Sequence, residues 1–157
     1  MTILRKLACG VATTAGKLVI SSSAFAQQAT PLFAVLNGAN ECNGASPPKC
    51  RHGDLNGFGS ATIIFPTATS VCFGIVVGGL GGTPTLAHIQ SGTSGIVGPI
   101  VISPFTPPAT GNPGASSGCV SPVAAATILA IRADPTKFYV HVHTTAFPAG
   151  ALRGQLQ

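Results

Sequence analysis

Short runs rich in Val, Ile, Phe and Thr, separated throughout by Gly, Pro, Asn and Ser, are the feature that most restricts how this chain folds. Segments of that length and composition, punctuated by turn residues, are the signature of an antiparallel β sandwich or barrel. Strands are expected at about 31–37 (PLFAVLN), 59–66 (GSATIIFP), 70–77 (SVCFGIVV), 84–90 (PTLAHIQ), 98–103 (GPIVIS), 137–145 (KFYVHVHTT) and 150–156 (GALRGQL). One short helix is expected near 122–133, in SPVAAATILAIRADP. There Ser121 suits the cap, Pro122 the first helical position, and Pro135 the stop. The fold class is therefore mainly β with a single helix packed over an open end of the sheets.

The first 26 residues have a different character. Arg5 and Lys6 precede a mostly apolar stretch that ends in Ala24-Phe25-Ala26 before Gln27. That succession of charge, apolar core and small-residue cleavage site predicts a signal peptide at 1–26 and one mature domain at 27–157. The mature chain would have 157 minus 26, or 131, residues, enough for one core. Without Arg5, Lys6 and Lys17, five of the eight basic residues remain against three acids, so the charge falls from +5 to +2. No Lys/Arg cluster of the kind that nucleic-acid binding requires is present. After signal removal no apolar run approaches the roughly 20 residues that span a bilayer. The expected location is periplasmic or extracellular.

Cys9 would leave with the leader, and Cys42, Cys50, Cys72 and Cys119 would remain. An even number of cysteines in an exported chain predicts two disulfides, with three pairings open. Cys42 and Cys50 bracket the turn-rich NGASPPK, and their closeness favours pairing with each other, leaving Cys72 for Cys119. A four-cysteine zinc site would want paired C-x-x-C spacing, which is absent. NECNGASPPKCRHGDLNGFG and SPFTPPATGNPGASSG are read as long loops.

AHIQSGTSGIVGPIVI (87–102) and FYVHVHTTAFPAGALRGQL (138–156) together resemble the CHRD domain, the module named from chordin. That family has an Ala-His-Ile-His-x-Gly segment and a Gly-Pro-Val strand. Tyr-Val-x-Val-His-Thr, a Phe-Pro-x-Gly turn and a closing Ile-Arg-Gly-Gln-Leu follow. The resemblance covers most of residues 32–156 and extends to VCFGIVV and SGCV, as in bacterial single-domain members. It implies a predominantly β, extracellular, non-enzymatic binding or structural module, with an unknown protein or surface ligand as partner. Three positions depart from the pattern: Gln90 replaces the second histidine of the first motif, His141 stands where Asn is frequent, and Ala151 stands where Glu is frequent.

Alternate side chains of a strand share a face. Phe138, Val140 and Val142 therefore form the expected core face, and Tyr139, His141 and His143 point to the opposite side. That side is either exposed or turned into a polar pocket. If the strand carrying Leu86, His88 and Gln90 lies alongside, three imidazoles converge, and three nitrogen ligands with an open position suit copper or zinc. His88, His141 and His143 are thus the candidate metal ligands. The competing expectation is a structural polar network of His88, His143 and Arg153, in which each buried polar group is hydrogen-bonded and no cofactor is needed. His52, beside Asp54, is expected in solvent. Copper-zinc superoxide dismutases also place His-x-His on a strand of an exported barrel, but their further metal-bridging histidine has no matching segment here.

Catalysis finds little support. Glu41, Asp54 and Asp134 are the only carboxylates after residue 26, and no Gly-x-Ser-x-Gly elbow exists. A carboxylate pair would need Glu41 and Asp54 to meet across one loop, where charges are more often solvated.

Overall fold

The computed structural model describes residues 30–41 and 52–157. The leader and its cleavage site, together with Cys42 and Cys50, lie outside the described residues. Eight strands form one antiparallel sheet: β1 (Leu32–Asn37), β2 (Phe58–Thr67), β3 (Ser70–Gly78), β4 (Pro84–Ser91), β5 (Ile100–Phe105), β6 (Gly114–Val120), β7 (Phe138–Thr144) and β8 (Leu152–Gln155). The spatial order is β5-β4-β7-β8-β1-β2-β3-β6. The two edge strands, β5 and β6, curl toward one another, so the sheet is nearly closed into a barrel. Phe73 of β3 and Phe105 of β5 stack across the closure with ring centroids 4.2 Å apart.

Alternation along each strand builds the core. Leu36, Ile63, Ile75, Ile89, Val140 and Val142 point inward and are buried. Each side chain of this type contributes about 1.5–3 kcal/mol when removed from water. The expected core face of β7, Phe138, Val140 and Val142, is the observed one.

All seven expected strands are present, and an eighth joins them. Gly114–Val120 reads as loop because GASSGCV is small and polar, yet it pairs with β3 along its whole length, from Val71↔Val120 to Val77↔Gly114. Small, uncharged residues suit an edge strand with one solvated face. Cys72 and Cys119 are directly opposed in this ladder, Cα to Cα 3.9 Å, and form the expected disulfide.

The helix, α1 (Ala125–Ala133), begins three residues later than expected and has Ala124 as its cap, with no side-chain capping bond. Ser121 is not free to cap it. Its hydroxyl donates to the Thr69 carbonyl oxygen at 3.4 Å, and Val123 N donates to the same oxygen at 2.8 Å. Those bonds hold the chain to the β2–β3 turn before it coils. Ile128 and Ile131 of α1 then enter the core. Among the described residues no helix is long and apolar enough to cross a membrane.

Candidate metal centre

β7 is the strand on which the site is built, because both of its faces are buried. It lies between β4 and β8, with Leu86↔His143, His88↔His141 and Gln90↔Tyr139 on one side and Tyr139↔Gln155 and His141↔Arg153 on the other. One residue of register shift would send these side chains to the opposite face. The observed register instead stacks Gln90, His88, Tyr139, His141, His143 and Arg153 on the face away from the apolar core. Of the two outcomes open for the histidine face, the pocket is the one formed.

Three segments cover it. The β4–β5 loop approaches Tyr139 and Arg153 through Gly98 and Thr93. The β7–β8 turn reaches His143 through Pro148. Glu41, just after β1 and a short 3-10 turn (Gly38–Asn40), closes against His141. His88 is 1% exposed and His141 4%.

One ring nitrogen from each of His88, His141 and His143 lies within 4.8 Å of the other two. The ring centroids stand 4.2 Å apart for His141 and His143, 4.9 Å for His88 and His143, and 5.3 Å for His88 and His141. In a tetrahedral zinc site, nitrogens at 2.0–2.1 Å from the ion are about 3.3 Å apart, so the trio would have to draw together by up to about 1.5 Å (4.8 minus 3.3) to share one.

One nitrogen of each ring is already engaged. His143 Nδ1 donates to the Pro148 carbonyl oxygen at 3.0 Å. His141 Nε2 stands 2.5 Å from Glu41 Oε2, a close polar contact. Two lone pairs would not approach so closely, so the nitrogen carries a proton. Gln90 Nε2 donates to His88 Nε2 at 3.0 Å. What remains is His88 Nδ1, His141 Nδ1 and His143 Nε2, all buried and all without a hydrogen-bond partner. Native proteins seldom leave such atoms unpaired, since each costs about 1–3 kcal/mol.

Burial favours the neutral form of His88 and His143. Burial, reinforced by the neighbouring His141 and His143, lowers the His88 pKa from 6.5 to about 3. Burial and His141 lower that of His143 as well, and the Pro148 carbonyl and Glu41 only partly oppose this. Neutral imidazole is the form that ligates a metal.

Arg153 takes a separate position in the same layer. Its guanidinium carbon sits 3.5 Å from the centroid of the Tyr139 ring, and Nη2 donates to Thr93 O at 2.7 Å and Gln155 Oε1 at 3.1 Å. Its hydrogen bonds do not run to His88 or His143. The link to the histidines is indirect: Tyr139 donates its hydroxyl proton to Gln90 Oε1, and the Gln90 amide holds His88.

Glu41 and Asp54, read from sequence as solvated loop charges, are both buried. Asp54 accepts from Gly81 N at 2.5 Å and Asn56 N at 3.1 Å, which makes it a turn-holding residue. Glu41 is the residue that local sequence could not assign, because it reaches the site across the sheet from β1. His52 is exposed, as expected, with Nδ1 2.9 Å from Ala39 O.

The CHRD domain model matches residues 32–156, nearly the whole described chain. No curated protein and no solved structure matches it.

Proposed function

The chain belongs to the CHRD domain family, and we propose that this member is an exported binding module whose ligand is a transition-metal ion, copper or zinc, held by His88, His141 and His143. The observation that carries the reading is the close approach of His88, His141 and His143, one ring nitrogen of each within 4.8 Å of the other two, while His88 Nδ1, His141 Nδ1 and His143 Nε2 are buried without a hydrogen-bond partner. A purely structural network would use those atoms in hydrogen bonds. On this reading the partnered nitrogens orient the rings and the unpartnered ones are the ligand atoms.

The supporting groups are those a metal site requires. A histidine ligand ordinarily directs its second nitrogen to a carboxylate or a carbonyl, which fixes the ring and raises its basicity. Glu41 does this for His141 and Pro148 O for His143. Three imidazoles with no thiolate suit copper or zinc over softer or harder ions. The Cys72–Cys119 disulfide fits an oxidising compartment, where extracellular CHRD domains function. The reading is of binding without catalysis: three ligands and one held carboxylate supply no nucleophile or proton-transfer pair of their own.

Metal analysis tests it. Purified protein loaded separately with copper and zinc, then dialysed, is expected to retain one ion per chain, and His141→Ala and His143→Ala are expected to retain almost none. Wild-type protein that holds neither ion in stoichiometric amount overturns the assignment.

A further inference from the structure

Of the three histidines, His88 alone has its free nitrogen in the wrong state for a ligand, and the reason lies in residues that touch no metal. Gly98 N donates to the Tyr139 hydroxyl oxygen at 3.4 Å, and the hydroxyl in turn donates to Gln90 Oε1. With its oxygen committed as an acceptor, the Gln90 amide presents Nε2 to His88 and donates to His88 Nε2. That nitrogen must then carry the lone pair. In a neutral ring the proton is on the other nitrogen, so His88 Nδ1, the nitrogen left without a hydrogen-bond partner and therefore the one open to a metal, carries the proton.

We infer that Gln90 is a tautomer-setting positioning residue: in the metal-free protein it keeps the three-histidine site blocked by the His88 Nδ1 proton, and a half-turn of its amide opens the site. The inference rests on the metal-binding reading above. After the turn, Gln90 Oε1 accepts from His88 Nε2–H, and Gln90 Nε2 donates to the Tyr139 oxygen. Both contacts persist with their polarity reversed. The proton balance is closed: Nδ1 gives up its proton to solvent as the metal bond forms there, and Nε2 takes one from solvent, so the ring stays neutral. The long bond from Gly98 to Tyr139 is the one that weakens, because the phenol oxygen now receives Gln90 instead.

Gln90 thus differs from Glu41 and Pro148 O, which accept only and so fix their histidines in the ligand-ready tautomer. An amide at position 90 offers both polarities. It makes metal entry conditional on a rearrangement that reaches the β4–β5 loop.

The test is the tautomeric state of His88, read by long-range proton–nitrogen correlation on nitrogen-labelled protein with and without zinc. The expected result is Nδ1–H in the metal-free protein and Nε2–H in the zinc form, together with a shifted Gly98 amide. Gln90→Glu, whose carboxylate accepts from both neighbours, should show Nε2–H without metal and bind zinc about tenfold more tightly, and Gln90→Met should bind it about tenfold more weakly, the lower end of the effect of such supporting groups. Zinc binding with an unchanged His88 tautomer, or a metal-free protein already in the Nε2–H form, overturns the role of Gln90 and leaves the metal site standing. Failure of the wild-type protein to take up zinc at all overturns both.

Discussion

His141 directs Nε2 to Glu41 Oε2 at 2.5 Å, and this contact between β7 and the segment after β1 leaves Nδ1, buried and without a hydrogen-bond partner, as the nitrogen open to a ligand. In the proposed metal site Glu41 would act on the ion through the ring it holds. Glu41→Gln keeps the shape and removes the charge. Zinc affinity, measured by competition with a chelating dye, should fall about 10- to 100-fold while the stoichiometry at saturation stays at one. Unchanged affinity would show that Glu41 serves folding alone.

Gly150 is the residue that allows this contact. Its φ is +138°, a region that side chains rarely adopt, and a β-carbon there would collide with His141 Nε2 and lie 2.8 Å from Glu41 Cδ. Gly150→Ala should destabilise the metal-free protein by about 1–3 kcal/mol in urea unfolding. It should also weaken zinc binding, since the methyl group occupies the space between the two partners. A variant with wild-type stability would mean that the β7–β8 turn moves aside without cost.

Acid should unfold the metal-free protein through its histidines. The folded-state pKa of His88 lies near 3 against an ordinary value of 6.5, so between those limits the unfolded chain binds more protons than the native one. His143 is shifted in the same direction. The stability linked to these groups is fully present above pH 6.5 and is lost progressively as the pH falls toward 3. Urea midpoints measured from pH 7 to pH 4 should decline, and the decline should be shallower in His88→Gln. Equal slopes in both proteins would refute the assignment to His88.

Much of the fold is legible in the sequence because alternation and turn residues act locally. The face division of β7 follows from the order Phe138, Tyr139, Val140, His141, Val142, His143, and the Cys72–Cys119 disulfide is the one of three open pairings that the closeness of Cys42 and Cys50 favours. β6 is hidden because GASSGCV buries little and owes its strand conformation to the edge of β3. The late start of α1 is hidden for a similar reason, since the Ser121 hydroxyl has a long-range partner in Thr69. In the site, the three histidines are visible as a period-two pattern on two strands. Glu41, Gly150 and the orientation of Gln90 become readable only when β1, the β7–β8 turn and Tyr139 are brought together by the sheet.

Arg153 provides the contrast between support and ligation. It is 1% exposed, its charge rests on the Tyr139 ring, and its strongest hydrogen bond, to Thr93 O at 2.7 Å, fastens the β4–β5 loop to β8. Burial lowers its pKa, yet a guanidinium stays protonated in proteins. Arg153→Lys keeps a charge but loses the planar group that stacks and bonds at once, a replacement that is not conservative at such a position. The expected loss is about 1–3 kcal/mol in urea unfolding, with faster amide exchange at residues 93–98. Zinc stoichiometry should remain one, because the hydrogen bonds of the Arg153 side chain run to Thr93 and Gln155 and not to the three histidines. Loss of zinc binding in a folded Arg153→Lys protein would instead make the loop tie a condition of the site, and the separation drawn between the two networks would fail.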